Sequence, residues 1–390
     1  MTTLTIAALL TGCAGLATPA GKLGIAPGKR LHDAAVAGAA FGPDERLWRL
    51  IVADRQIYVD SSEDHGATYS APVAVSPGGQ PILARAEDRP SIAADARGRV
   101  YVLYTVGTIE APITYLVYSM DAGRRFSTPR PITDPAHPSP HYQGAMVVDP
   151  EGRLYVFWND ERGKGSAAAD RQGASLYFAS NDRVAASSFS NQPLVDGLCN
   201  CCRLAVDLDV DGLPVVFARF VFPDQVRDHG MLKASPSGLL EGPWRVTEDD
   251  WRIEACPMHG PALAISRDGR YHITWFTQGS RRQGLYYAHS DDRGRHFSAP
   301  AVVGQTSALP GHADLLSVGP RVVLAWREFD GTETRIMAMQ SRDRGDTWSA
   351  SVTLAHTRHS ADHPFLISDQ KRVYLSWNSV ERSHQLIPID

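Results

Sequence analysis

Ser341-Arg342-Asp343-Arg344-Gly345-Asp346-Thr347-Trp348 is the stretch whose reading decides the fold, because it recurs. Ser62-Glu63-Asp64-His65-Gly66-Ala67-Thr68-Tyr69 is a full copy. Ser119-Met120-Asp121-Ala122-Gly123 ending at Phe126 and Ser290-Asp291-Asp292-Arg293-Gly294 ending at Phe297 are two more, and Ser180-Asn181-Asp182 is a degenerate one. The Ser and Asp oxygens can accept backbone N–H groups in a tight turn, Gly supplies positive φ, and the aromatic ring packs under the turn. Around these turns runs a second signature, a polar residue or turn followed by an alternating apolar strand. It appears at Arg46-Leu47-Trp48, Arg99-Val100-Tyr101, Arg153-Leu154-Tyr155, Leu213-Pro214-Val215, Arg270-Tyr271-His272, Arg321-Val322-Val323 and Arg372-Val373-Tyr374. The spacing is about 54 residues, the size of a unit of several short strands, and helical periodicity is nearly absent.

The S-x-D-x-G-x-T-aromatic turns resemble the Asp-boxes of the sialidase superfamily, which implies an all-β propeller. That superfamily usually has six blades; seven signatures predict a seven-bladed ring over residues 14–390, with six blades and a spare hairpin as the alternative. The last unit stops after its third strand, so a segment near Lys22-Leu23-Gly24-Ile25 is expected to supply the fourth and close the ring without free sheet edges. An Asp-box itself staples a turn and carries no chemistry.

Composition narrows the function. The chain has 390 residues, 43% hydrophobic, with a formal net charge of -4. That balance argues against nucleic acid as a partner, and no stretch of 18 apolar residues is present to span a membrane. The apolar run Leu4 to Leu10 and the following Leu10-Thr11-Gly12-Cys13 resemble an export signal with a bacterial lipobox, although no Lys or Arg precedes the run. Residues 1–13 are read as that signal and Cys13 as the lipidated residue. The expectation is a monomer exported to the periplasm or outer membrane, touching the membrane through its lipid only.

Four of the five cysteines lie between Cys199 and Cys256. Aligning the units on the Gly between their first two strands (Gly98, Gly152, Gly212, Gly269) sets Asp88, Tyr142, Cys202 and His259 in one column. Glu87, His141, Cys201 and Met258 fill the preceding column, and His312 matches His363 in the last two units. These columns fall at the entrances of the innermost strands, hence at one mouth of the channel. Two readings of Cys199-Asn200-Cys201-Cys202 and Cys256-Pro257-Met258-His259 stay open. Export would oxidise the thiols into disulfides pinning neighbouring loops. Alternatively Cys199, Cys201, Cys202, Cys256, Met258 and His259, ringed by His141, His312 and His363, form a site for copper(I) or zinc, since soft sulfur and imidazole donors suit those metals. Asp207-Leu208-Asp209-Val210-Asp211-Gly212 opens like a calcium loop, but Ala218 stands where the closing Glu belongs, so a plain turn is preferred over calcium.

The sialidase resemblance also implies an enzyme that grips a carboxylate with three arginines and uses a Tyr–Glu nucleophile and an Asp acid/base. Arg89, Arg203 and Arg327, with Tyr142, Asp88 and Glu328, are the positions that would carry it. Asp33-Ala34-Ala35-Val36 departs from the family's Arg-Ile-Pro motif. The leading reading is therefore an exported binding protein with a Cys/His/Met site at the channel mouth. The alternatives are a sialidase-like glycosidase acting on sialylated glycans and a protein-interaction scaffold with structural disulfides.

Overall fold

Each repeat unit folds into one twisted antiparallel sheet, and seven such sheets form a β-propeller. The computed structural model describes residues 36–108, 110–134, 139–162, 173–182, 190–255 and 257–390. Blade 1 runs through Ala37–Phe41, Leu47–Ala53, Gln56–Ser62 and Val73–Ala74. Blades 2 to 6 have their innermost strands at Ser91–Ala94, His141–Val148, Ala205–Leu208, Ala262–Ile265 and Gly311–Val318. Blade 7 is three-stranded among the described residues: Phe365–Ser368, Val373–Ser379 and Ser383–Ile389. The expected closing segment near Ile25, like the signal and Cys13, lies outside the described residues.

The second strand of each blade is the apolar centre of its sheet. Leu154–Asp160 is buried at every position, and Trp158, Trp326 and Trp377 are among the largest fully buried side chains. A buried indole N–H needs an acceptor. Trp158 Nε1 donates to Asp160 at 3.0 Å and Trp326 Nε1 to Glu328 at 2.8 Å, the same two-residue step in two blades.

The repeated serine–aspartate turns sit between the third and fourth strands. Ser62 Oγ accepts the Gly66 N–H at 2.8 Å and Asp64 Oδ1 accepts the Thr68 N–H at 2.8 Å; Ser341 and Asp343 repeat this with Gly345 and Thr347 at 2.7 and 2.9 Å. Glycine is required twice over at Gly123. Its φ is +76°, and a Cβ there would lie 2.4 Å from the Trp48 ring of the preceding blade, so the turn doubles as a contact between blades.

Ring closure joins blade 7 to blade 1. Ala39 and Leu47 share a core cluster with Ile367 and Tyr374, and Asp362 accepts the Ala37 N–H at 3.4 Å. The Asp207–Gly212 stretch is a turn held by an ammonium group. Lys233 Nζ donates to both Asp209 and Asp211, filling with a side chain the place where a calcium ion would sit.

Candidate functional site

All seven blades send the start of their innermost strand to the axis. There they enclose a cavity of about 300 Å³ lined by Gly38, Glu87, Asp88, Arg89, Gly144, Arg203, Pro261, Asp314 and Phe365 among others. Side chains cross this space from blade to blade. Arg89 of blade 2 pairs with Asp362 of blade 7 at 2.6 Å, and Arg203 of blade 4 donates to the Ala313 carbonyl of blade 6.

Glu87 carries the next crossing. Its Oε1 lies 2.7 Å from His312 Nδ1 of blade 6 and 3.3 Å from His363 Nδ1 of blade 7. Burial pushes the Glu87 carboxyl upward, but the His312 and His363 rings beside it outweigh burial and hold the group well below the usual carboxylate range. The imidazoles form a ladder: Phe276 on His259 at 4.0 Å, His259 on His312 at 4.2 Å, His312 on His363 at 3.7 Å. Burial holds His259 down at about 2 and His363 at about 3, so both rings are neutral near pH 7.

Two backbone features aim this ladder. His312 sits at φ +50° in a β-bulge between Gly311 and Asp314, a left-handed conformation that is uncommon for a residue with a side chain inside a strand. Gly311 lets the His259 ring pass, since a Cβ there would meet His259 Cε1 at 2.9 Å.

The cysteines form a separate group. The outer strand Gln192–Leu198 of blade 3 ends in a tight turn, with the Cys202 N–H on the Cys199 carbonyl at 3.4 Å. Blade 3 clamps this turn through Asn159 Nδ2 on the Asn200 carbonyl at 3.3 Å, and blade 4 through the Arg219 carbonyl, which accepts the Cys199 N–H at 2.9 Å. Cys199 Sγ is 3.6 Å from both Cys201 Sγ and Cys202 Sγ, and the three sulfurs lie within 4.8 Å of one another. A disulfide needs about 2.05 Å, so Cys199 is bonded to neither. All three are buried. S–H donation from Cys201 and Cys202, aided by Arg219 and Arg227, holds the Cys199 thiol far below its ordinary range; the same contact raises the other two.

Arg219, 1% exposed, lies beside this turn. It donates to the carbonyls of Arg227 and Phe276 at 2.7 Å and of His259 at 3.1 Å. Among the described residues it makes no salt bridge, so a thiolate at Cys199 is its natural counter-charge.

Of the residues singled out in the sequence, then, sulfur and imidazole fall into two ligand groups rather than one. His259, His312 and His363 meet; His141 does not join them. Its Nδ1 donates to the Ser139 carbonyl at 2.5 Å and its Nε2 accepts the Thr114 N–H at 3.0 Å, which makes it a buried strut. Met258 is 37% exposed. Cys256 and the Tyr142 side chain lie outside what is described. Arg89, Arg203 and Asp88 share the axial cavity, whereas Arg327 reaches Thr334 of its own blade at 3.5 Å. Glu328 faces a groove between blades 5 and 6 as the acceptor of Trp326. Glu87 and Arg219 were not picked out by sequence reasoning, although Glu87 stands in the same column as His141, Cys201 and Met258.

No family model matches the chain, and no curated protein matches it in sequence. Solved structures do. An ulvan lyase of polysaccharide lyase family PL25, bound to a GlcA(1-4)Rha3S unit, has a TM-score of 0.58 at 10% identity, covering 92% of this chain and 95% of that one. The Hadza microbial sialidase Hz136 has a TM-score of 0.52 at 15% identity, covering 87% and 74%. A Dyadobacter fermentans protein of unknown function also reaches 0.52 at 15%, covering 79% and 96%. At such identities the likeness is one of fold.

Proposed function

We propose that this propeller is an exported metal-binding protein, anchored through a lipid on Cys13, whose Cys199–Cys202 turn holds a soft metal. The observation that carries the reading is the convergence of three buried sulfurs, within 4.8 Å of one another, beside a buried arginine that has no carboxylate partner among the described residues. Thiolates in a dry pocket favour copper(I) first and zinc second. Arg219 offsets part of the negative charge that a multi-thiolate centre accumulates. Cys256 is a further sulfur candidate from sequence. The test is metal analysis with a free-thiol count on protein purified anaerobically, without added reductant, from the cell envelope. About one copper per chain, lost in Cys199→Ser, is expected. Metal-free protein with Cys199, Cys201, Cys202 and Cys256 all oxidised would make them loop staples and leave a protein-interaction scaffold.

A second reading has one observation in its favour, the presence of Arg89 and Arg203 in a single axial cavity. Sialidase-like hydrolysis of sialylated glycans would need such cations for a carboxylate. It predicts release of the dye from a fluorogenic sialoside, abolished in Arg203→Ala; no release from the intact chain rejects it.

A further inference from the structure

We infer that Glu87, His312 and His363 form a second metal site, distinct from the thiolate turn, for a borderline divalent cation of the zinc class. One carboxylate oxygen and two imidazole Nδ1 atoms from blades 2, 6 and 7 lie within 4.8 Å of one another. Neighbouring ligands of a tetrahedral zinc with bonds of about 2.0–2.2 Å lie about 3.3–3.6 Å apart; His363 Nδ1 stands at 3.3 Å from Glu87 Oε1, and His312 Nδ1, at 2.7 Å, has to move out by about 0.6 Å as metal replaces the proton between them. Two carboxylate-paired imidazoles without sulfur form the donor set of an open zinc site, with three protein ligands and one position for water. His312, with its side chain 14% exposed, marks the wet side.

A second observation points the same way. Glu87 is 5% exposed and His363 8%; Glu87 Oε2 makes no hydrogen bond, neither does His259 Nδ1, and His363 Nδ1 has only the 3.3 Å approach of Glu87 Oε1. Buried lone pairs of this kind are ordinarily satisfied, by protein, water or an ion. Here one ligand atom each of Glu87, His312 and His363 shares a single small volume. The surrounding charge fits a dication too. Glu87, Asp88, Asp314 and Asp362 share the axis with Arg89 and Arg203, leaving two formal negative charges there. The ring ladder from Phe276 to His363 fixes the donors before any metal arrives, and such preorganisation favours binding.

The inference does not depend on the thiolate reading. Zinc is dialysed into the reduced, metal-free full chain, and the bound metal is counted and its first shell read by X-ray absorption at the zinc edge. In Cys199→Ser we expect one zinc with nitrogen and oxygen neighbours only, and the wild type holds that zinc beside any metal on its thiolates. In Glu87→Gln and in His363→Asn its affinity is expected to fall at least tenfold, with copper(I) uptake unchanged. Should a variant misfold, the wild-type spectrum decides alone. Zinc bound solely through sulfur, or no zinc uptake by the wild type, overturns the site. Failure of the thiolate reading would look different: no copper(I) is taken up while the nitrogen–oxygen zinc persists.

Discussion

Arg219 of blade 4 donates through Nη2 to the backbone carbonyl of His259 in blade 5, at 3.1 Å. One residue thereby touches both ligand groups: its own carbonyl holds the Cys199 N–H, and its side chain holds the backbone that presents His259. Its guanidinium also lies against Trp251, 4.7 Å from the ring centroid.

Removing that cation should cost stability and metal together. Arg219→Met leaves the Arg227, His259 and Phe276 carbonyls without a donor and the thiolate turn without a counter-charge, a loss of about 3–5 kcal/mol by comparison with other broken buried charge pairs. Urea unfolding of the reduced, metal-free protein measures the first effect and a copper(I) chelator competition the second. Arg219→Lys, which keeps the charge but not the fork, should fall between. Equal metal affinity in all three proteins would detach Arg219 from the site.

The serine–aspartate turn at Gly123 and the plain turn at Gly319 predict a contrast between two glycines. Gly123→Ala meets both a left-handed backbone and the Trp48 ring at 2.4 Å, whereas a Cβ added at Gly319, where φ is +59°, would have nothing within 4 Å. The backbone term alone is about 1–2 kcal/mol, so Gly319→Ala should lose about that much. Gly123→Ala should lose clearly more, about 2–4 kcal/mol, because a packed ring must move. Thermal melts of the two variants check the order. Equal losses would mean the Trp48 contact is soft.

How much of this was legible beforehand follows from what periodicity can reach. The signatures at Leu47, Val100 and Leu154 each open a second strand, and the Gly98, Gly152, Gly212 and Gly269 turns all take positive φ, because strand alternation and turn chemistry are local. The column reading placed His141, His259, His312 and His363 around one axis, since equivalent positions in a ring share a height along it; three of them meet, and His141 is held aside by Ser139 and Thr114. It could not say which residues cross that axis. Glu87 meets His312 across 225 positions of sequence, a pairing fixed only by blade number and ring closure. Glu328 looked like an acid beside Arg327, yet the indole two residues earlier claims it. The same Trp-x-acid step at Trp158 and Asp160 was the available signal.

Asp207 should make stability fall as pH rises. It is half-buried in the innermost strand of blade 4, and loss of hydration pushes its carboxyl up to about 6 against two backbone N–H groups, those of Ile265 and Leu208, that pull it down. Its unfolded value is about 3.9. A group whose folded value is raised binds more protons in the native state, so the penalty is absent below about pH 4 and complete above about pH 6. Roughly two pK units correspond to about 3 kcal/mol. Urea midpoints of the wild type relative to Asp207→Asn should therefore drop between pH 4 and pH 7. A difference independent of pH would place the Asp207 carboxyl near its ordinary value.

Lys233 supplies the sharpest separation of a turn from an ion site. Its ammonium sits between Asp209, whose side chain is fully buried, and Asp211, with Arg293 at 3.6 and 3.8 Å from the two carboxylates. Lys233→Met removes the central cation and leaves the carboxylates facing one another, at a cost of about 3–5 kcal/mol. The D-x-D-x-D-G oxygens would then be open to a hard cation, for which carboxylates at this spacing are suited. In a thermal melt, calcium should leave the wild type unmoved and raise the midpoint of Lys233→Met. A calcium-dependent rise in the wild type itself would mean that the ion outcompetes the ammonium, because only a ligand that binds the native state shifts its melting point.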